Sequence, residues 1–128
     1  MTWLLLSVGT ALLLTVGSVS AGPYEDAATA YGPGDYVAAL KTFQSLAVQG
    51  NAKAQNNLGV MYDNGQGVTQ DYVRAYMWLK LAAENSKSDQ QKSAADARDE
   101  VARRMTSAQL AKAQRLAQQC QSQQFKGC

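Results

Sequence analysis

The 128-residue chain contains no histidine at all, two cysteines, two prolines and few aromatic residues. Without imidazole there is no Ser-His or Cys-His pair for nucleophilic catalysis. Two thiolates alone do not close a zinc site, so no metal is expected. No Ser-x-x-Lys occurs in the sequence, which removes the nucleophile arrangement of the penicillin-recognising serine enzymes. Two acidic pairs are adjacent in sequence, Glu25-Asp26 and Asp99-Glu100. Neighbours on a helix do not face one another, so neither pair makes an acid/base couple. These absences leave the chain with no catalytic residue set and no cofactor.

Charge is also scarce, 17% of residues with a net +2, and it is unevenly placed. Beyond residue 86 there are eight basic positions (87, 92, 98, 103, 104, 112, 115, 126) and four acidic ones (89, 96, 99, 100). The basic residues lie among Gln and Ala with no interleaved aromatics. That pattern does not suit nucleic acid and reads as a solvated helix face. Arg103, Arg104, Lys112 and Arg115 could still serve a membrane-surface or cell-envelope module, whose binding would depend strongly on salt.

What is present begins with an uncharged apolar run, Leu4–Val19, followed by Val19-Ser20-Ala21 with small residues before Gly22. This is the shape of a bacterial secretory signal peptide cleaved after Ala21, although no Lys or Arg precedes the run. An uncleaved anchor is the alternative, but the run is short of the roughly 20 apolar residues of a spanning helix. No Cys at the cleavage point argues against a lipoprotein. The expected product is periplasmic or secreted, with no stable membrane span once the signal is removed. In an oxidising compartment Cys120 and Cys128 would pair with one another.

Residues 22–128 read as helices throughout. Tyr24–Tyr31 is a short helical segment stopped by Gly32-Pro33-Gly34. Asp35 is placed to cap the helix Tyr36–Val48, in which Val37, Leu40, Phe43, Leu46 and Ala47 form one apolar face. Gly50 stands where a left-handed C-terminal residue is wanted. A third helix runs over Ala52–Asp63 and ends in Asn64-Gly65-Gln66-Gly67, a loop demanding positive φ. Asp71 caps a fourth, which carries Ala75, Trp78, Leu79, Ala82 and Ala83. Placing Asp35 on Asp71 aligns Tyr36 with Tyr72, Val37 with Val73, Ala39 with Ala75 and Ala47 with Ala83. The offset, 71 minus 35, is 36 residues, and it argues for a helical repeat. Ser86–Arg104 is polar with a thin seam of Ala94, Ala97, Val101 and Met105. Thr106-Ser107-Ala108-Gln109 then reads as a capping box, with Met105 and Leu110 placed for a hydrophobic staple.

Ala54, Leu58, Gly59, Tyr62, Gly65, Gly67, Val68, Asp71, Ala75, Trp78, Ala82 and Ala83 together resemble the Sel-one-like repeat family, relatives of the tetratricopeptide repeats. The Gly-x-Gly-Val-x-x-Asp portion is the most specific part. Two departures are Ser86 in place of the usual terminal glycine and Leu81 where Lys is common; Asn85 is then expected to take the left-handed cap. The resemblance implies an all-α, α-α superhelix, a short solenoid of antiparallel helix pairs. Residues 1–21 are the signal segment, 22–50 a degenerate repeat, 51–86 the matching repeat and 87–128 a C-terminal two-helix cap, which such stacks need. Trp78 and Tyr62 are expected as core fillers.

The same resemblance implies an adaptor that binds a protein or peptide on a concave face. On the third helix that face would hold Asn56, Val60, Asp63 and Asn64. Some cysteine-rich relatives have been described as β-lactamases, an activity for which this chain lacks the residues.

Overall fold

The computed structural model describes residues 22–128, so the apolar segment assigned to a signal peptide lies outside the described residues. Six helices follow one another: α1 (Pro23–Tyr31), α2 (Tyr36–Val48), α3 (Ala52–Asn64), α4 (Tyr72–Asn85), α5 (Ser88–Ala102) and α6 (Ser107–Ser122). None of them is long and apolar enough to cross a membrane. The chain is an all-α stack of helix pairs, each helix packed on its neighbours.

The helix starts follow from short polar side chains placed to satisfy free backbone amides. Asp35 accepts from Ala38 N at 3.4 Å, Asn51 from Ala54 N at 3.0 Å and Asp71 from Arg74 N at 3.0 Å. The turns before α2 and α4 share a contact. The backbone N–H of Asp35 donates to Ala30 O at 3.0 Å, and that of Asp71 donates to Tyr62 O at 2.9 Å. Both loops therefore close the next helix onto the last turn of the one before, although the second loop is the longer. That longer loop docks on the first pair. Tyr31 Oη donates to Gln66 Oε1 at 2.7 Å, and a Cβ on Gly67 (φ +72) would stand 3.1 Å from Tyr36 O. Only glycine allows both that φ and that approach.

The core is shared by the two pairs. Ala39, Phe43 and Ala47 of α2, Leu58 and Met61 of α3, and Met77, Trp78 and Leu81 of α4 form one buried cluster. Ala39 and Ala75 are both fully buried, as the offset of 36 requires. Val37 departs from the expected apolar face of α2, being 75% exposed, whereas its counterpart Val73 is half-buried against a second cluster. The reason is the neighbour. α4 packs on α6, while among the described residues no helix is laid over Val37 on the outer side of α2. Inside the core, Gln55 is fully buried and its amide is spent on structure. Its Nε2 donates to Ala47 O at 3.0 Å, and its Oε1 accepts from Asn85 Nδ2 at 3.3 Å.

The last two helices both pack on α4, which makes α4 the centre of the fold. Ala94 and Val101 are buried on α5, as are Ala113, Ala117 and Cys120 on α6. The capping box forms, with Gln109 N donating to Thr106 Oγ1 at 3.1 Å and Thr106 N to Gln109 Oε1 at 2.9 Å. Met105 and Leu110 pack against the same cluster. α5 begins two residues later than the sequence suggests, because Ser86 and Lys87 are extended. Asn85 stays helical and the capping residue of α4, Ser86, is extended, so no left-handed cap forms; Ser88, at the start of α5, holds φ +57. The side chain of Asn85 is committed to Gln55, which holds it in the last turn.

Cys120 and Cys128 form a disulfide, a bond that belongs to oxidising compartments. The loop it closes turns the chain back after α6, so that Phe125 lies against Gly50, where a Cβ would meet the ring at 3.3 Å. Phe125 itself holds φ +67, a costly conformation for a bulky residue. Reducing the bond, or replacing both cysteines with serine, is expected to lower stability by about 2.5 kcal/mol, the chain-entropy value for so short a loop. A urea titration with and without reductant measures this as a fall in midpoint at unchanged slope.

Candidate functional site

Along one side of the stack α1, α3 and α5 border a groove of about 250 Å³. α1 contributes Tyr24, α3 contributes Ala52, Lys53, Asn56 and Asn57, and the end of α4 contributes Ala82 and Ser86. Gln90, Ser93 and Ala94 of α5 close the far wall. The three alanines keep this space open, since any larger side chain there would occupy it. The polar lining is otherwise amides, hydroxyls and a single cation.

Local hydrogen bonds hold the near wall in place. Asn57 Nδ2 donates to Tyr24 Oη at 2.9 Å, tying α3 to α1. Lys53 Nζ stands 5.8 Å from the centre of the Tyr24 ring, within cation–π range. Asn56 behaves differently: its Oδ1 is buried and accepts no hydrogen bond among the described residues. A buried acceptor without a donor is costly in a folded protein, so it is an unspent group at the groove wall.

The four residues placed on the concave face by sequence do not stay together. Asn56 lines the groove. Val60, one turn on, is half-buried against the cluster that contains Val101, so α5 covers it. Asp63 is held by Arg104, whose Nη2 lies 2.9 Å from Oδ1 and donates to Oδ2 at 3.0 Å. That hydrogen bond raises the guanidinium's pKa above its ordinary range. A raised cation pKa means that this contribution is present through the physiological range and is lost as the pH rises to extreme alkaline values. Arg104 also stacks 5.1 Å from the Tyr72 ring centre. Asn64 is exposed at the end of α3. The N-terminal half of the α3 face is thus open, whereas Val60 and Asp63 further along are partly covered.

Lys53 and Asn57 were findable, since 53, 56, 57 and 60 fall on one helical face. Tyr24, Gln90 and Ser93 were not, because they come from other helices and nothing local marks them.

No curated protein matches the chain. Residues 52–87 match the family model of the Sel1 repeat, a range that covers α3, the glycine loop and α4. Sel1 repeats are helical units that often mediate protein interactions. Residues 52–87, from α3 through α4, thus form a Sel1 repeat.

Proposed function

We propose that this protein is an exported, non-catalytic adaptor that holds an extended segment of a partner protein in the groove between α1, α3 and α5. The observation that carries this reading is the lining itself. Asn56, Asn57, Gln90, Ser86 and Ser93 place amides and hydroxyls along the groove. A peptide backbone presents N–H and C=O groups in alternation and answers such a surface without demanding particular side chains. The alanine floor admits small side chains. Lys53, beside Tyr24, adds a preference for a carboxylate at one end. The titratable side chains lining the groove are Tyr24 and Lys53, a poor set for acid/base chemistry.

Export is supported by two independent features, the apolar run Leu4–Val19 and the Cys120–Cys128 disulfide. The groove is small by the standards of stable interfaces, so the contact is weak or acts within a larger assembly. Ser93→Trp tests the reading, since Ser93 is exposed and lines the groove. The indole would fill the groove while leaving the core untouched. Affinity for the captured partner is expected to fall at least about tenfold, roughly 1.4 kcal/mol, with an unchanged far-UV circular dichroism spectrum. Unchanged affinity would place the partner elsewhere.

A further inference from the structure

A second groove, about 440 Å³, runs between α4 and α6 on another part of the surface. Val73, Met77 and Leu116 line it together with the disulfide, and Lys112 and Gln119 stand among its polar residues. Its lining holds one carboxylate, Asp71, against two cations, Arg74 and Lys112. No acidic residue follows Glu100 in the sequence. Arg103 and Arg104 are paired with Glu100 and Asp63, whereas Lys112, Arg115 and Lys126 make no ion pair among the described residues. Arg74, also in the groove, sits 3.6 Å from Asp71.

The opposite end of the same molecule carries the complementary character. The α1–α2 pair holds Glu25, Asp26 and Asp35 against a single cation, Lys41, and none of these four is ion-paired among the described residues. Val37, two positions after Asp35, is the more exposed of the two large apolar side chains that stand out from the described surface, at 75% against 38% for Val48. It occupies the repeat position of Val73, which lies in the groove. An exposed valine beside carboxylates at one end thus complements a groove at the other that combines Val73, Met77 and Leu116 with the unpaired Lys112.

We propose that the chain associates head to tail, with Val37 and the acidic α1–α2 end of one copy seated in the α4–α6 groove of the next. The two patches are different surfaces, so the contact is heterologous and copies add in one direction, as an open chain or a ring. Such an array would line up successive α1–α3–α5 grooves and lengthen a binding surface that is short in one copy.

Sedimentation equilibrium on the purified protein between about 10 μM and 1 mM tests this, because association by mass action must raise the mean mass with concentration. The expected result is a rise above the monomer mass that weakens at about 0.5 M salt. Val37→Asp should weaken association at least about tenfold. Two charge-reversed variants make the sharper test. Glu25→Lys with Asp26→Lys, and separately Lys112→Glu with Arg115→Glu, should each stay monomeric alone and associate when mixed. All these positions are exposed, so circular dichroism should be unchanged. A monomer across the whole range overturns the proposal, as does association that survives Val37→Asp or mixed variants that fail to associate. Groove binding of an acidic peptide of another protein, without self-association, overturns it too.

Discussion

Trp78→Ala is expected to lower the free energy of unfolding by about 3–5 kcal/mol, the cost of deleting a buried aromatic ring and leaving a cavity behind. Trp78 is 2% exposed and belongs to the cluster that joins α2, α3 and α4. Its loss therefore removes packing from both helix pairs at once, and local collapse cannot refill the space without separating Phe43, Leu58 and Met61 from their neighbours. A domain of this size has only about 5–15 kcal/mol in total, so the variant should be partly unfolded under mild conditions. Far-UV circular dichroism in urea is the right probe, because the substitution removes the one tryptophan outside the apolar N-terminal segment. A loss below about 1 kcal/mol would mean that Trp78 is not an element of the core.

Gly59→Val should cost about 3 kcal/mol for the opposite reason, overpacking. A Cβ at position 59 would lie 2.7 Å from Leu79 Cγ and 3.2 Å from the backbone carbonyl oxygen of Ala75. The leucine can turn aside, but the carbonyl belongs to α4 itself, so α3 and α4 would have to part. Glycine normally weakens a helix by about 1 kcal/mol relative to alanine, which makes its presence inside α3 a sign of close approach rather than flexibility. Thermal denaturation of Gly59→Ala and Gly59→Val should show a graded fall in Tm, the larger for valine. Equal or higher Tm for both would show that the helices are not in contact at this point.

Both residues were readable from sequence because the repeat pattern places small and large residues in a fixed order on paired helices. The capping box at Thr106 and Gln109 and the cap at Asp71 were legible for a similar reason: each depends on residues within one turn. The misreadings share a cause of another kind. Val37 has the right spacing for the core, yet no helix among the described residues covers it, and spacing says nothing about neighbours. Val60 and Asp63 have the right spacing for an open face, yet the end of α5 covers one and Arg104 ties down the other from 41 positions along the chain. Asn85 was expected to carry the left-handed cap until its contact with Gln55, 30 positions away, is taken into account. The placement of Phe125 on Gly50 is likewise a matter of where α6 ends in space. Of the proposed binding groove, sequence reached Asn56 and its helix; the walls come from α1 and α5, whose register on α3 is a tertiary property.

The account rests on the α1–α3–α5 groove as the surface that meets a partner. Photo-crosslinking in the producing cell from position 90, in the groove wall, and separately from position 118, on the exposed side of α6, addresses it most directly. The account predicts one protein captured from position 90 through a single contiguous segment, absent from position 118 and lost when Ser93→Trp fills the groove. The same species captured from both positions, or capture from position 90 that is indifferent to Ser93→Trp, would contradict it.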